Sequence, residues 1–220
     1  MPKSLKLDDE FDSAVLNIAL DTLKIGKQAL VFVNTKKSAE KTAEEISKKV
    51  KTESEELKIL SETALNALSR PTKQCERLSF CIKKGIAFHH AGLVHRQKDI
   101  IEENFRKGAI KIICCTPTLA YGIDMPAYRS VIKDLKRYTM HGLSWIPVLD
   151  YMQMSGRAGR PNYDKEGQAI AIAISSGERE KIEEKYLNGT PEEIYSKLAV
   201  EPVLRTYVLS LIAASFTPTK

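Results

Sequence analysis

The sequence lacks any apolar run long enough to cross a bilayer. Its longest apolar segments, such as 110–115, which Lys111 interrupts, and 169–174, span only six residues, whereas a spanning helix needs about 20. The chain begins Met1-Pro2-Lys3 and then turns acidic, so it also lacks the apolar region of a signal peptide. These absences predict an intracellular protein without a membrane partner, in the cytoplasm or, in a eukaryote, in the nucleus.

Cysteine is scarce and shows no pattern of a disulfide framework or a metal site. None of the four cysteines forms a C-x-x-C pair, and Cys114 and Cys115 end an apolar run, where core thiols are expected. Three histidines lie close together in the chain, His89, His90 and His95. No second group of ligands has a matching spacing, so we predict no metal site.

Aromatic residues make up only 7% of the chain, with a single tryptophan. This scarcity argues against base stacking as the main way of binding a nucleic acid. A net charge of +6 nevertheless permits a polyanionic partner. If the partner is a nucleic acid, we expect contacts to its backbone, with little sequence preference and strong salt dependence.

The order of apolar patterns is that of an α/β protein. Short apolar runs predict five buried strands, at 28–33, 86–89, 110–115, 130–135 and 168–174. Helical spacing predicts amphipathic helices around them, at 9–25, 36–50, 54–69, 72–84, 95–107 and 149–160. This alternation predicts a mostly parallel sheet with helices on both faces, a three-layer arrangement.

Polar residues directly follow three of the predicted strands. They are Asn34-Thr35, His89-His90 and Thr116-Pro117. Because the carboxyl ends of parallel strands meet at one edge, and ligands of such sheets bind beyond that edge, we expect these residues to lie together at a binding site.

The chain divides into a main domain, 1–190, and a different segment, 191–220. Residues 51–84 form a helical insertion within the main domain. After residue 190 a short helix is predicted, and Pro202 starts another with a largely apolar face. We interpret 191–220 as the beginning of a further domain, cut short; the alternative is a C-terminal helix that docks back on the sheet.

The most informative stretch runs from Gln153 to Arg160, Gln-Met-Ser-Gly-Arg-Ala-Gly-Arg. In a helix over 149–160, Gln153, Arg157 and Arg160 share one face. Gly156 and Gly159 would keep that face low enough for a bulky partner to approach. Two guanidinium groups directed the same way suit a polyphosphate, as an arginine finger does. The alternative is a basic helix end that compensates the helix dipole.

Two further segments combine a strand end with small residues. In 116–126, Thr116 can offer its hydroxyl and amide to a phosphate, Gly122 permits close backbone approach, and Asp124 can accept from a ribose hydroxyl. The alternative is a polar loop in which Asp124 caps its own backbone. In 88–93, small residues such as Gly92 let amides reach a phosphate, and the histidines either assist or simply pack.

In family order, these segments resemble the conserved motifs of superfamily 2 helicases. Residues 29–35 are similar to motif IV, 88–93 to motif IVa, 116–126 to motif V and 153–160 to motif VI. The chain resembles the second RecA-like lobe, of the P-loop NTPase type, in the superkiller-like branch of DExH-box helicases. That branch includes archaeal DNA-repair helicases.

The resemblance implies an ATP site shared between two lobes. Arg160 would act as the finger on the γ-phosphate, with Arg157 assisting and Gln153 coupling nucleotide to lobe closure. Gly122, Asp124 and Gly156 would lie on the ATP side. The nucleic-acid backbone would be held by residues of the other motifs, namely Asn34, Thr35, His90, Gly92 and Thr116. Movement along single-stranded or forked nucleic acid would run 3′ to 5′, with DNA favoured over RNA as the nucleic acid.

The sequence lacks the two motifs that would let it hydrolyse ATP alone. It contains no G-x-x-x-x-G-K-[ST] and no Asp-Glu-x-His. The resemblance therefore implies that ATP and Mg²⁺ are bound mainly by a first RecA-like lobe, absent here, and that 191–220 begins a winged-helix domain of the same full-length protein. A different function remains open: a non-catalytic module that binds nucleic acid or protein on the same fold.

Overall fold

A computed structural model describes residues 10–52, 54–122, 125–140, 142–160, 164–193 and 201–214. The chain divides into two units, Met1–Thr190 and Pro191–Lys220. The strands are β1 (Ala29–Phe32), β2 (Ile86–His89), β3 (Ile112–Cys115), β4 (Arg129–Ile132), β5 (Lys136–Thr139), β6 (Gly142–Trp145) and β7 (Gln168–Ala171).

The helices of the first unit are α1 (Ala14–Lys24), α2 (Lys36–Ser47), α3 (Glu55–Leu65), α4 (Lys73–Ile82), α5 (His95–Arg106), α6 (Thr118–Gly122), α7 (Val148–Ser155) and α8 (Ser176–Ile182). A π-helical turn, Glu183–Leu187, continues α8. The second unit contains α9 (Glu201–Ala213). The short helix predicted after residue 190 is not helical at 191–193 and otherwise lies outside the described residues.

Five parallel strands form the central sheet, in the order β2-β3-β1-β4-β7. Every residue of β1, β2, β3 and β4 is buried. Since successive side chains of a strand point to opposite faces, burial of every position means that both faces are covered. The predicted α/β class and parallel sheet are confirmed.

Local capping explains where several helices begin. The Thr35 hydroxyl accepts a hydrogen bond from the Ser38 amide at 3.1 Å and so caps α2. Ser175 caps α8 in the same way through the Glu178 amide at 3.2 Å. Thr35 lies three residues after β1 and Ser175 four residues after β7. The two caps therefore fix the points at which the chain turns from the sheet into a helix.

Two helices, α3 and α4, occupy most of the segment 51–84. They pack against each other, and α4 also packs against α2 and β2. Leu57, Ala64 and Leu78 are buried in this packing. The segment is therefore joined to the main core by an apolar contact as well as by polar contacts described below.

An antiparallel hairpin of β5 and β6 was not predicted. Its first strand is largely exposed, and Tyr138, Met140 and Leu143 project into solvent with 85%, 98% and 56% exposure. Periodicity could not identify these strands, because an exposed hairpin has no buried face to impose an apolar alternation. Among the described residues, no helix is long and apolar enough to cross a membrane.

A polar cluster closes the amino-terminal edge of the sheet around Gln28 and Asp164. The Gln28 amide donates to the carbonyl oxygens of Phe105 and Ile110, at 2.6 and 2.8 Å. Asp164 accepts two hydrogen bonds from Arg160, at 2.7 and 3.2 Å, and one from Lys27 at 2.6 Å. The guanidinium and ammonium groups lower the pKa of the Asp164 carboxyl to about 2.

This cluster should make stability depend on acid pH. Because the folded pKa of Asp164 lies below its ordinary value of 3.8, its contribution is present above that value and disappears as the pH falls toward 2. We expect Asp164→Asn to lower the free energy of unfolding by about 2 kcal/mol at pH 7, and by progressively less from pH 4 to pH 2. Urea unfolding across this range measures the difference.

Glu166→Gln is the matched control, since it removes an exposed carboxylate two residues away. A pH-independent loss in Asp164→Asn, or an equal loss in Glu166→Gln, would contradict the ion-pair explanation.

Candidate functional site

A cleft of about 590 Å³ opens at the carboxyl edge of the sheet. Its lining comes from the ends of three neighbouring strands and from the hairpin and α7: Asn34, Thr35, Lys36, Ala91, Thr116, Pro117, Thr118, Tyr121, Arg137 and Asp150. Three of the five predicted nucleic-acid contacts, Asn34, Thr35 and Thr116, therefore share one cleft.

The β1 end of the cleft is fixed by hydrogen bonds from Asn34. The backbone N–H of Asn34 donates to the Asp134 carboxylate at 3.1 Å. The side-chain amide of Asn34 donates to the Lys136 carbonyl oxygen. Thr35 then caps α2, and Lys36 opens the helix with its side chain on the cleft. A helix amino terminus and an ammonium group here favour an anion.

The β3 end of the cleft carries two threonine hydroxyls. The Oγ1 atoms of Thr116 and Thr118 are 2.8 Å apart, within hydrogen-bond distance. Thr118 begins α6, so residues 118–122 are helical and do not form the polar loop that was the alternative interpretation of this segment. Gly122 is the last residue of that helix, and Asp124 lies outside the described residues.

His90 is part of the core and does not line the cleft. The residue is 1% exposed, and its ring stacks on Phe88 at 5.6 Å between centroids. The Gly92 amide donates to its Nδ1 at 3.1 Å, and its Nε2 lies 3.2 Å from a carboxylate oxygen of Glu40. Burial also lowers the pKa of the imidazole. Because the ring is buried, His90 can affect a bound nucleic acid only through the turn that it holds.

The wall opposite the strand ends consists of residues that the sequence did not identify. Asp150 on α7 accepts from the Tyr121 hydroxyl and from Arg137 Nη1, the latter at 3.0 Å. Burial, together with the Asp150 carboxylate, raises the pKa of Tyr121 to about 12, so the phenol stays protonated. Lys36 was missed as well, because nothing in its local sequence distinguishes it from the many helical lysines.

The helix that carries Gln153 is shorter than the predicted 149–160. The prediction that Gln153, Arg157 and Arg160 share one helical face is therefore wrong. α7 ends at Ser155, with Gly156 as its C-cap. The following backbone pairs with Ala127 instead: the Ala127 amide donates to the Arg157 carbonyl at 2.9 Å, and the Gly159 amide donates to the Ala127 carbonyl at 2.6 Å. Gly159 has φ +95°, which an L-residue side chain disfavours. Gly159 thus allows the chain to turn after the helix has ended at Ser155.

The two arginines consequently point to different places. Arg157 donates through Nη2 to the carbonyl oxygen of Ala120 in α6, beside the cleft. Arg160 binds Asp164 in a bidentate ion pair and donates to Gln28 Oε1 at 2.6 Å. Since Gln28 and Asn34 lie at opposite ends of β1, Arg160 is about 20 Å from the cleft. Gln153 is exposed on α7, one turn from Asp150.

The sequence of this chain is similar to those of known helicases. Residues 61–162 match the family described as helicase conserved C-terminal domain. The chain is 45% identical over 208 residues to the ATP-dependent DNA helicase Hel308 of Methanocella arvoryzae, covering 92% of this chain and 28% of the relative. Hel308 of Pyrococcus horikoshii is 43% identical, with 89% and 27% covered. Hel308 of Pyrococcus abyssi is 46% identical, with the same coverage.

The chain thus spans about a quarter of the length of these relatives. The similarity extends over nearly all of its own length, and the parallel sheet has the strand-to-helix order of a RecA-like domain. Residues 61–162 therefore belong to the helicase conserved C-terminal domain family, and the chain as a whole is similar to a second RecA-like domain of superfamily 2 helicases.

Proposed function

We propose that this chain is the second motor lobe of an intracellular ATP-dependent DNA helicase, and that its cleft holds the backbone of the translocating single strand. The observation that carries the proposal is the convergence of Asn34, Thr35 and Thr116 on one cleft together with Lys36. The names of the relatives support DNA as the nucleic acid. Movement from 3′ to 5′ rests on the resemblance of the motifs to the superkiller-like branch.

The chemistry of the cleft suits a sugar–phosphate backbone. Thr116 and Thr118 offer hydroxyl groups, Lys36 a positive charge, and the start of α2 its amides. Tyr121 is the one aromatic residue among the lining residues of the described structure, and its hydroxyl is already bound to Asp150. Contacts of this kind position a strand without reading its bases, as translocation along any sequence requires.

We further propose that Arg157 and Arg160 serve an ATP site completed by a first RecA-like lobe elsewhere in the full-length protein. No three His, Cys, Asp or Glu side chains of the described residues form a metal site, and the sequence lacks a phosphate-binding loop. What this lobe can supply is guanidinium charge. The assignment of Arg160 as the finger rests on the resemblance of residues 153–160 to motif VI, and it requires Arg160 to exchange its hydrogen bonds to Asp164 and Gln28 for the nucleotide.

The remaining assignments belong to the same proposal. Gln153 would couple the nucleotide to closure of the lobes, and Gly122, Asp124 and Gly156 would border the nucleotide. The partners of this lobe in the full-length protein would be the first RecA-like lobe and a winged-helix domain that begins within 191–220.

One observation favours the alternative of a non-catalytic binding module. Arg160 donates from all three guanidinium nitrogens to Asp164 and Gln28, as an arginine with a purely structural role would. A structural Arg160 is required for stability and dispensable for turnover, whereas a finger is required for turnover. The two functions are therefore separable by experiment.

Single-strand binding tests the cleft. The 220-residue chain should bind fluorescein-labelled oligothymidylate with a Kd of about 10⁻⁵ M at low salt, weakening steeply as salt rises. Thr116→Val should raise the Kd by about 3- to 10-fold because it removes a phosphate donor, and Lys36→Ala should reduce the salt slope by about one. Fluorescence anisotropy over a range of salt concentrations measures both.

Lys107→Ala is the control for charge. Lys107 follows α5, which returns from the carboxyl edge to the start of β3, so it lies at the amino-terminal edge and is exposed. If its removal weakens binding as much as Lys36→Ala does, the strand does not lie in the cleft.

Turnover tests the arginines. In the full-length protein that carries these residues, Arg160→Ala should lower kcat for ATP by about 10²-fold or more while nucleotide binding persists. Arg179→Ala, which removes an exposed arginine paired with Glu183, should leave kcat unchanged. DNA-stimulated ATP hydrolysis measures turnover. An unchanged kcat in a less stable Arg160→Ala protein would favour the structural alternative.

The isolated 220-residue chain should show no ATPase activity.

A further inference from the structure

We propose that Glu40 is a positioning residue for the cleft, which acts through His90 to hold the Ala91–Gly92 turn against a bound strand. The inference rests on the proposed strand-binding function and adds a residue that lines no part of the cleft. Glu40 lies on α2, one turn after the helix start that forms the β1 side of the cleft.

Three donors converge on the buried Glu40 carboxylate. Gln74 Nε2 donates to Oε1 at 2.7 Å, and His90 Nε2 lies 3.2 Å from the same oxygen. Arg77 Nη1 donates to Oε2. The residue is only 7% exposed, so water cannot replace these partners freely. A carboxylate is the side chain that fits, because every neighbour donates and only a carboxylate accepts through both of its terminal atoms.

The hydrogen bonds of His90 fix its tautomer. The Gly92 amide can only donate, so His90 Nδ1 must accept at 3.1 Å. In a neutral ring the proton then resides on Nε2, where it is donated to Glu40. Burial keeps the ring neutral by lowering its pKa. Glu40 thus stabilises the one ring state in which Nδ1 can hold the Gly92 amide.

The turn that His90 holds has little room to move. A side-chain carbon at Gly92 would lie 3.1 Å from the His90 ring and 3.6 Å from the Lys36 side chain. The Leu93 amide closes the turn by donating to the His90 carbonyl at 3.1 Å. Ala91, between these residues, lines the cleft. Displacement of the ring would therefore displace the wall of the cleft beside Lys36.

The segment 51–84 supplies two of the three donors. Gln74 and Arg77 both lie on α4, so α4 and the His90 ring hold the Glu40 carboxylate together. Through these contacts the segment 51–84 holds α2 in place against the turn that follows β2. Arg77 also binds Glu44, one turn further along α2, and no contact of Glu44 with His90 is present among the described interactions.

Glu40→Gln and Glu44→Gln form a matched pair of variants of the 220-residue chain. Each replaces one carboxylate that binds Arg77, but only Glu40→Gln faces His90. Its amide must direct NH₂ either at Arg77 or at the His90 and Gln74 donors, and the charge of Arg77 favours oxygen on its own side. We expect Glu40→Gln to speed hydrogen exchange of the Gly92 amide by about 10-fold or more and to raise the oligothymidylate Kd by about 3- to 10-fold. Glu44→Gln should change neither.

A double-mutant cycle with His90→Ala tests whether Glu40 acts through the ring. Glu40→Gln should leave the Kd unchanged once His90 is absent, whereas equal effects in both backgrounds would overturn the proposal. Unchanged Gly92 exchange in Glu40→Gln would also overturn it.

The unmodified chain provides a measurement that needs no variant to fold. Long-range ¹H–¹⁵N spectra should show His90 neutral with its proton on Nε2; a proton on Nδ1 would contradict the proposal. If the unmodified chain fails to bind oligothymidylate, the proposed strand contact fails, while the spectra and the Gly92 exchange still decide the role of Glu40.

Discussion

The cleft of this domain depends on the register of three parallel strands, β1, β2 and β3, whose carboxyl ends are aligned. Phe32 of β1 pairs with Cys115 of β3, and the same Cys115 pairs with His89 of β2. Every chain segment that leaves these strands therefore does so at one edge, within a few ångströms of its neighbours. Residues 34–36, 90–92 and 116–118 are far apart in sequence but meet there. The cleft is a consequence of register, and any shift of one strand would separate its walls.

Much of this arrangement could be predicted from sequence because it is locally encoded. Short apolar runs identified the five strands of the central sheet. The arginine segment was predicted wrongly because a distant residue, Ala127, pairs with its backbone after Ser155 and draws it out of the helix. The opposite wall was missed for the same kind of reason, since Tyr121, Arg137 and Asp150 meet only in the folded chain.

The two ends of the sheet carry different chemistry. The carboxyl edge presents hydroxyl, amide and ammonium groups to solvent, as a backbone-binding surface needs. The amino-terminal edge binds its arginine internally, with Asp164 and Gln28 as acceptors. Arg157 donates a hydrogen bond to Ala120 of α6, and the first residue of that helix, Thr118, lines the cleft. α6 therefore connects the cleft physically to the segment that contains Arg157.

The central claim, that a single strand lies across the carboxyl edge, is tested most directly by mapping backbone amide shifts during titration with an unlabelled oligothymidylate. The account predicts that the largest changes in ¹H–¹⁵N spectra fall in 34–36, 91–92 and 116–118. It also predicts that amides at the amino-terminal edge, such as Gln28, stay in place. Changes centred on that edge, or spread evenly over the surface, would contradict the account.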